Sequence, residues 1–558
     1  MVERASRSGA PSGRRWRLLL DVKAALACQV SWRDLGLLLA FAFAVRLAHV
    51  FAMGQSPYFT YPVVDAANFD TIGWSIARGH GYPEKVFWHP PGYPCFLGAI
   101  WWLVGDSYLA PRLVQAFLGA TNVVLIAWIG ARLFGRAVGL SSGVAAALYA
   151  MLIYFDAELL APTLAIFVML ATVAVAMLAK EHQRRALWIA AGALGGLAST
   201  VVATSLVLPA IVAGMARRRA HFVLLGLALA LAPTTLHNLI RGHELVLISS
   251  NGGINFWIGN NPNYEAMVSI RPDLQWQHLV DEPARAGVHG DTAASRYFVG
   301  KSLRWAAADP WAFARLQLHK VRLLISGNEI YRNHSIYPAR LDSLMLALLL
   351  WKIPGLAFPF GLLLPLACVG LWVGARRAPL LAVSVLGLSV LVLAFFVTAR
   401  YRVLLVPFLL IFAAHAVRWF TKEAGRRQRL VAGGCALALF LVANQGQGAM
   451  ERRMNADAEY SLAVHYGQKG RMREAQELFE SAVASRPDYL EAWLNLSVCY
   501  DAAGRPADAR AAFARAFSLD HDAVLFMVRR FLDAGKPEAA SRLVAHLRAL
   551  VVTTEQAR

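Results

Sequence analysis

A chain of 558 residues that is 57% hydrophobic and only 16% charged, with a mean hydropathy of +0.46, is not an ordinary soluble domain, where about 45–50% of residues are apolar and about 25% charged. The formal charge of +20 does not point to nucleic acid. Its basic residues fall in short clusters between apolar runs (Arg14, Arg15 and Arg17; Arg184 and Arg185; Arg217 to Arg219; Arg376 and Arg377; Arg426, Arg427 and Arg429), the pattern that orients a multi-span membrane protein. The cysteines Cys28, Cys95, Cys368, Cys435 and Cys499 are far apart and form no CxxC pair, which argues against a disulfide framework or a zinc site.

In chain order, residues 1–33 form a basic segment expected in the cytoplasm. It leads into an apolar run without a small-residue cleavage site, so that run is expected to stay as the first span. About eleven runs are expected to cross a bilayer: 35–53, 111–131, 137–153, 159–179, 186–201, 203–216, 221–239, 350–374, 379–397, 403–419 and 429–445. Together they make a membrane domain over 34–445 with two long polar outer loops, 54–110 and 240–343. A cytoplasmic N-terminus puts every basic cluster inside. It puts both long loops, the Asp156/Glu158 turn, the Ala399–Arg402 turn and the C-terminal region outside. The runs at 186–201 and 203–216 are short and poorly separated, and the charge count favours two crossings over one re-entrant element.

Soluble amphipathic helices with a 34-residue period are expected over 452–552. Leu462, Tyr466, Gly470, Ala475, Phe479, Ala482 and Pro487 make one tetratricopeptide unit. Trp493, Leu496, Tyr500, Gly504, Ala509, Phe513 and Ala516 repeat it, and Phe531, Gly535, Ala540 and Leu547 mark a shortened third. Three units are near the minimum that buries a shared core, and the pattern specifies a solenoid without naming a ligand.

Chemistry is concentrated on the outer side. Val64-Asp65-Ala66-Ala67-Asn68-Phe69-Asp70 opens a short helix, Ala77-Arg78-Gly79-His80-Gly81-Tyr82 turns it, and Phe87-Trp88-His89-Pro90-Pro91-Gly92-Tyr93-Pro94 is a rigid element returning to the membrane. Further along stand Phe155-Asp156-Ala157-Glu158-Leu159-Leu160-Ala161-Pro162-Thr163-Leu164, the Asn/Gly-rich stretch 251–262, and Ala399-Arg400-Tyr401-Arg402 followed by Pro407. In this order the motifs resemble those of bacterial GT-C membrane glycosyltransferases of family 39, the protein mannosyltransferase-like group, and of the aminoarabinose-transferase group. The resemblance covers about residues 35–420.

The resemblance implies an all-α, polytopic GT-C fold, here fused to a tetratricopeptide α-solenoid. It implies inverting transfer of a sugar from a polyprenyl-phosphate donor to an acceptor hydroxyl at the periplasmic face of a bacterial inner membrane. Asp65 matches the family's catalytic base; its alternative role is capping a helix that begins near Ala66. The family often carries a second acid beside this one, where the chain has Ala66. Asp156 and Glu158 match a second acidic position, for acceptor or metal binding, or else they cap a helix at the interface. Arg400 and Arg402 are the first choice for the donor phosphate, against plain snorkelling. Lys85 and His89 come second, and Arg46, a charge inside the first span, is a candidate because intramembrane charges usually serve function. Asn251 to Pro262 is expected to be a turn lining the acceptor groove or simply packing. His237, His319 and His334 are expected to be ordinary interfacial residues. No cofactor is fixed and a divalent metal stays open. The implied partners are the lipid-linked donor, membrane lipid and a protein or glycan acceptor recruited by the repeats, with no nucleic acid. The competing reading is a non-enzymatic envelope scaffold or transporter working through its repeats, or a silent member of the family.

Overall fold

The computed structural model describes residues 30–270, 274–332, 335–446, 449–533, 541 and 543–548. The Arg14, Arg15 and Arg17 cluster, Cys28, His334, Gly535 and Ala540 lie outside the described residues, as does the side chain of Phe531. The fold is all-α, as the sequence leads one to expect. Among the described residues, the exception is a two-stranded antiparallel ribbon that pairs Trp351–Ile353 with Leu356–Phe358.

The first helix, Trp32–Met53, starts where Ser31 accepts from the Asp34 amide (3.1 Å) and the Asp34 carboxylate accepts from the Ser31 amide (3.3 Å). This reciprocal box satisfies two donors that a helix start leaves open. The helix is long and apolar enough to cross a bilayer core, as are Leu109–Phe134, Pro162–His182 and the stretch Ala203–Gly242, which turns at 217–219. Arg136–Ala147 and Ala150–Ala157, bent by 51°, can together form a fifth crossing. The other expected runs fall on the shorter helices Arg185–Val201, Phe360–Gly374, Pro379–Ala394, Val406–Arg418 and Arg426–Ala443. Among the described residues, length and composition therefore single out four or five stretches able to cross and leave the count of eleven open. Two expectations are corrected. The run at 350–374 begins as the ribbon and turns helical only at Phe360. The loop 54–110 is not uniformly polar, because it contains the apolar helix Gly92–Val104 with Trp102, Leu103 and Val104 exposed at its end.

The helices pack through small residues, as membrane helices do. Arg185–Val201 and Ala220–Gly242 lie close because Gly192 faces the Val223 carbonyl and Gly226 faces the Ile189 carbonyl; a Cβ at either position would stand 2.0 Å from that oxygen. Contacts also sort the helix ends. Asp34 pairs with Arg136 (2.8 Å), Arg132 pairs with Glu181, the Arg219 guanidinium donates to the Gln183 carbonyl, and Arg418 donates to the Phe134 carbonyl (2.9 Å). The turns at 134–136, 181–185 and 217–219 thus share one end of the bundle. The chain between 185 and 217 runs to the far end and back.

At the far end, the Gly327 amide donates to the Ala443 carbonyl (2.7 Å), and Asn444 accepts from the Ala357 amide (2.7 Å) while donating to the Gly361 carbonyl (3.1 Å). Five helices of the repeat region follow, from Ala449–Gln468 to His521–Asp533. Gly470 and Gly504 hold φ +76° and +70° at equivalent turns, a conformation that favours glycine. Arg471 lies 4.3 Å over Tyr466 and Arg505 lies 4.5 Å over Tyr500 beside those turns. Ala475, Phe479, Ala482, Ala509, Phe513 and Ala516 are all buried. The first repeat helix rests on the membrane domain, with His465 and Lys469 within 3.5 and 3.7 Å of Asp342.

Candidate active site

A cavity of about 610 Å³ opens at the non-basic end of the bundle. Its apolar walls come from the break between Arg185–Val201 and Val207–Ala216, and from Leu391 to Phe396 at the end of Pro379–Ala394. Its polar wall comes from the two long loops 54–110 and 240–343 and the 400 turn. Asp65 is the one carboxylate among its described lining residues, and it meets His89, Arg332 and Arg400 there.

Asp65 is the first residue of the helix Asp65–Ala77, one position earlier than the sequence suggested, and Val64 occupies the cap position. Val64 is β-branched yet holds φ +54°, a conformation that costs on the order of 1–3 kcal/mol and occurs next to the acid the cavity presents. Arg400 donates to Asp65 Oδ2 and, through its other amine, to the Tyr401 hydroxyl (3.1 Å). Burial alone would raise the Asp65 pKa. Arg400, and then His89 and Arg332, outweigh it and hold the carboxyl at about 2.

His89 packs edge-on against Phe69. The Asn68 amide lies 2.9 Å from His89 Nδ1, and His89 Nε2 lies 3.9 Å from Asp65 Oδ1. If Asn68 donates, the remaining ring proton sits on the nitrogen that faces the acid. Burial lowers the His89 pKa, opposed by Asp65 and helped by the two arginines, so the ring is neutral at pH 7. Arg332 reaches in from the second loop with its guanidinium 4.5 Å over the Phe396 ring. It lies in a loop without a motif, so nothing in the sequence singles it out.

The other expected site residues go elsewhere. Arg46 and Asp156 pair with each other at 2.6 Å, and each is at most 2% exposed. Thr163 donates to the second oxygen of Asp156 (2.8 Å). Neither residue lines the cavity. Glu158 is buried near Arg112 and is likewise absent from the lining. Arg402 is buried and donates to the Ser326 carbonyl, the Asn328 carbonyl (2.7 Å) and Glu329 (2.7 Å). It anchors the segment that carries Arg332. The two arginines of the RYR motif therefore separate, one to the cavity and one to its frame. Lys85 is exposed and outside the lining. Asp70, further along the helix that Asp65 opens, faces away and accepts from Tyr108 (3.3 Å).

The remaining motifs hold these pieces in place. Tyr93 of the proline element is fully buried and donates to Gln115 (2.6 Å), whose amide donates to the carbonyls of Asp156 (3.1 Å) and Glu158 (2.7 Å). The Phe87 amide donates to Asn238 (2.9 Å), and the Ser250 amide donates to the Phe87 carbonyl (2.9 Å). The stretch expected as a turn at 251–262 is mostly the helix Gly252–Gly259, with Asn251 and Asn255 on the cavity wall. Lys320, with no exposed surface, donates to the carbonyls of Gly259 (3.0 Å) and Phe395 (3.2 Å) and to the Asn260 side chain (2.9 Å). It clamps that helix to the apolar wall, and burial lowers its pKa to about 7. His237 stacks on Phe87, and His319 lies 3.7 Å from Glu265, both away from the acid. Among the described residues no three His, Cys, Asp or Glu side chains gather where a metal could bind, and Asp65 commits one oxygen to Arg400.

Residues 88–237 match the family described as Dolichyl-phosphate-mannose-protein mannosyltransferase. Over that stretch the chain is similar to these mannosyltransferases. The resemblance read from the proline element and the Asp156–Glu158 turn is borne out there, while Asp65 and Arg400 lie outside the matched residues. Residues 468–525 match the Tetratricopeptide repeat family, bearing out the solenoid. Among solved structures, ArnT from Cupriavidus metallidurans, described as bound to undecaprenyl phosphate, matches 86% of this chain and 80% of its own at 14% identity and a TM-score of 0.39. The oligosaccharyltransferase AglB from Archaeoglobus fulgidus, described in complex with an inhibitory peptide and a dolichol-phosphate, matches 80% and 60% at 12% identity and a TM-score of 0.38. No curated protein sequence matches the chain.

Proposed function

We propose that this chain is a membrane glycosyltransferase that moves a sugar from a polyprenyl-phosphate carrier to an acceptor hydroxyl, with inversion, in the cavity beside Asp65. The observation that carries the reading is the juxtaposition of Asp65 with Arg400 and Arg332 in a cavity whose other wall is apolar. A lipid-phosphate donor needs cations for its phosphate and an apolar path for its tail. The transfer needs a base for the acceptor proton. The name of the family matched at 88–237 supports a donor of this class.

In the proposed step the acceptor oxygen attacks the anomeric carbon and forms the new glycosidic bond. The bond from that carbon to the phosphate oxygen breaks, and its electron pair leaves with the polyprenyl phosphate. Asp65 takes the acceptor proton, and Arg400 and Arg332 hold the charge that grows on the phosphate. An acid held at about 2 by a guanidinium is a weak base. A donor phosphate that draws Arg400 away raises the carboxyl toward its ordinary value and strengthens it for the step. Attack from the face opposite the phosphate inverts the anomeric centre. The basic end of the bundle fits the cytoplasmic side and the cavity the periplasmic side, and in this reading the repeats recruit an acceptor protein or glycan on the cavity side.

The test is transfer of labelled sugar from a panel of polyprenyl-phosphate sugars by the full chain in nanodiscs. Asp65→Asn is expected to lower turnover by on the order of 100-fold or more at equal abundance. Transfer by the variant at the wild-type rate removes Asp65 from the chemistry.

A further inference from the structure

At the opposite end of the bundle lies a second cavity of about 360 Å³, among the helices Pro162–His182, Arg185–Val201, Val207–Ala216 and Pro379–Ala394. Its inner lining is apolar and includes Leu133, Met177, Val212 and Leu381. Its polar lining is Arg132, Lys180, Glu181 and Arg377, three cations against one carboxylate, and that carboxylate is already paired with Arg132. Lys180 and Arg377 are exposed, and no ion pair is formed by either among the described residues. Trp188, also on the lining, is 4% exposed, and its indole N–H meets no acceptor among the described residues. A buried donor without a partner costs free energy that a bound acceptor would recover.

We propose that this cleft is a binding site for an anionic phospholipid of the leaflet at the basic end. Lys180 and Arg377 hold its phosphate, the Trp188 N–H donates to a phosphate or ester oxygen, and the acyl chains run along the apolar lining. Charge and volume agree. Basic pockets between membrane helices select anionic headgroups, and the volume suits a glycerophosphate headgroup with its first methylenes. Arg132 is held over the Trp128 ring at 5.2 Å and against Glu181, so it frames the mouth while the other two cations face the ligand. The site shares no residue with the Asp65 cavity, and it stands whether or not that cavity transfers sugar.

The test is native mass spectrometry of the full chain after delipidation and titration with phosphatidylglycerol or phosphatidylcholine. The wild type is expected to keep phosphatidylglycerol adducts at concentrations where phosphatidylcholine adducts are lost. Lys180→Gln with Arg377→Gln is expected to weaken that binding by about ten-fold or more. Trp188→Phe, which keeps an aromatic ring and removes the donor, is expected to weaken it by about three- to five-fold. Both variants are also melted in detergent, and an unchanged Tm assigns the losses to the site. Equal binding of the two lipids, or unchanged phosphatidylglycerol binding in both variants, overturns the proposal. Full competition by soluble glycerol 3-phosphate would make it a site for a free anion. Tighter binding of a polyprenyl phosphate would give it to the donor lipid. Either result also overturns the phospholipid assignment.

Discussion

Asp65 is the residue where pH dependence and mechanism meet. Its carboxyl is held at about 2, below the ordinary 3.8, so it contributes stability above pH 4 that is lost as pH falls from 4 toward 2. The contribution is at most about 2 kcal/mol, and in detergent melts wild type and Asp65→Asn are expected to differ above pH 4 and converge near pH 2. In catalysis, kcat/KM reports the free protein and kcat the donor complex. The donor's phosphodiester does not titrate near neutrality. If the phosphate takes Arg400 from Asp65, the acid limb of kcat lies at higher pH than that of kcat/KM, and coincident limbs would show that the pair stays intact during turnover. Arg400→Lys keeps the charge but not the forked donors, so the expected cost is a raised KM for donor, by roughly ten-fold. The sequence singled out Asp65, His89 and Arg400 because each stands in a motif. It could not separate Arg400 from Arg402, two residues apart, because which guanidinium faces the cavity depends on where the 326–330 backbone passes. Arg332 was hidden because no motif surrounds it.

Between elements, the buried pair Arg46–Asp156 joins the first helix to the Ala150–Ala157 helix. An intramembrane charge reads from sequence as functional, and only the fold shows a partner 110 residues away answering it. Removing one member leaves a buried charge alone, at a cost of about 3–5 kcal/mol, whereas replacing both with apolar residues is often neutral. Arg46→Met alone is therefore expected to lower the Tm and yield of the purified protein sharply, with Arg46→Met/Asp156→Leu restoring both. A double variant as unstable as the single one, with activity lost, would return the pair to the list of functional residues. Spans such as Leu109–Phe134 were legible because length and hydropathy alone define them. The Gly92–Val104 helix was not. Its Pro94 and its place inside a loop read as irregular, while packing accounts for its buried apolar face, as in the stacking of Trp101 on Trp74 at 4.6 Å, and leaves Trp102 to Val104 exposed.

For the whole molecule, the contacts that sort helix ends make sidedness a single question with one answer for all parts. The turn at Gln183, tied to Arg219, belongs to the basic end. Lys469, beside Asp342 and on the repeat region, belongs to the end that holds the Asp65 cavity. Excess basic charge in short loops marks the cytoplasmic side, so Gln183 is expected inside and Lys469 outside. The repeat was readable from its 34-residue spacing, but its docking on Asp342 was not, because nothing in a solenoid's period encodes the surface it rests on. With the native cysteines replaced by serine, a single Gln183→Cys is expected to react with a membrane-impermeant maleimide only after the membrane is opened, and a single Lys469→Cys in intact cells. The reverse pattern would place the cavity in the cytoplasm and move the proposed acceptor there with it. Labelling of both from one side would break the pairing of ends itself, and with it the out-and-back path of the chain between 185 and 217.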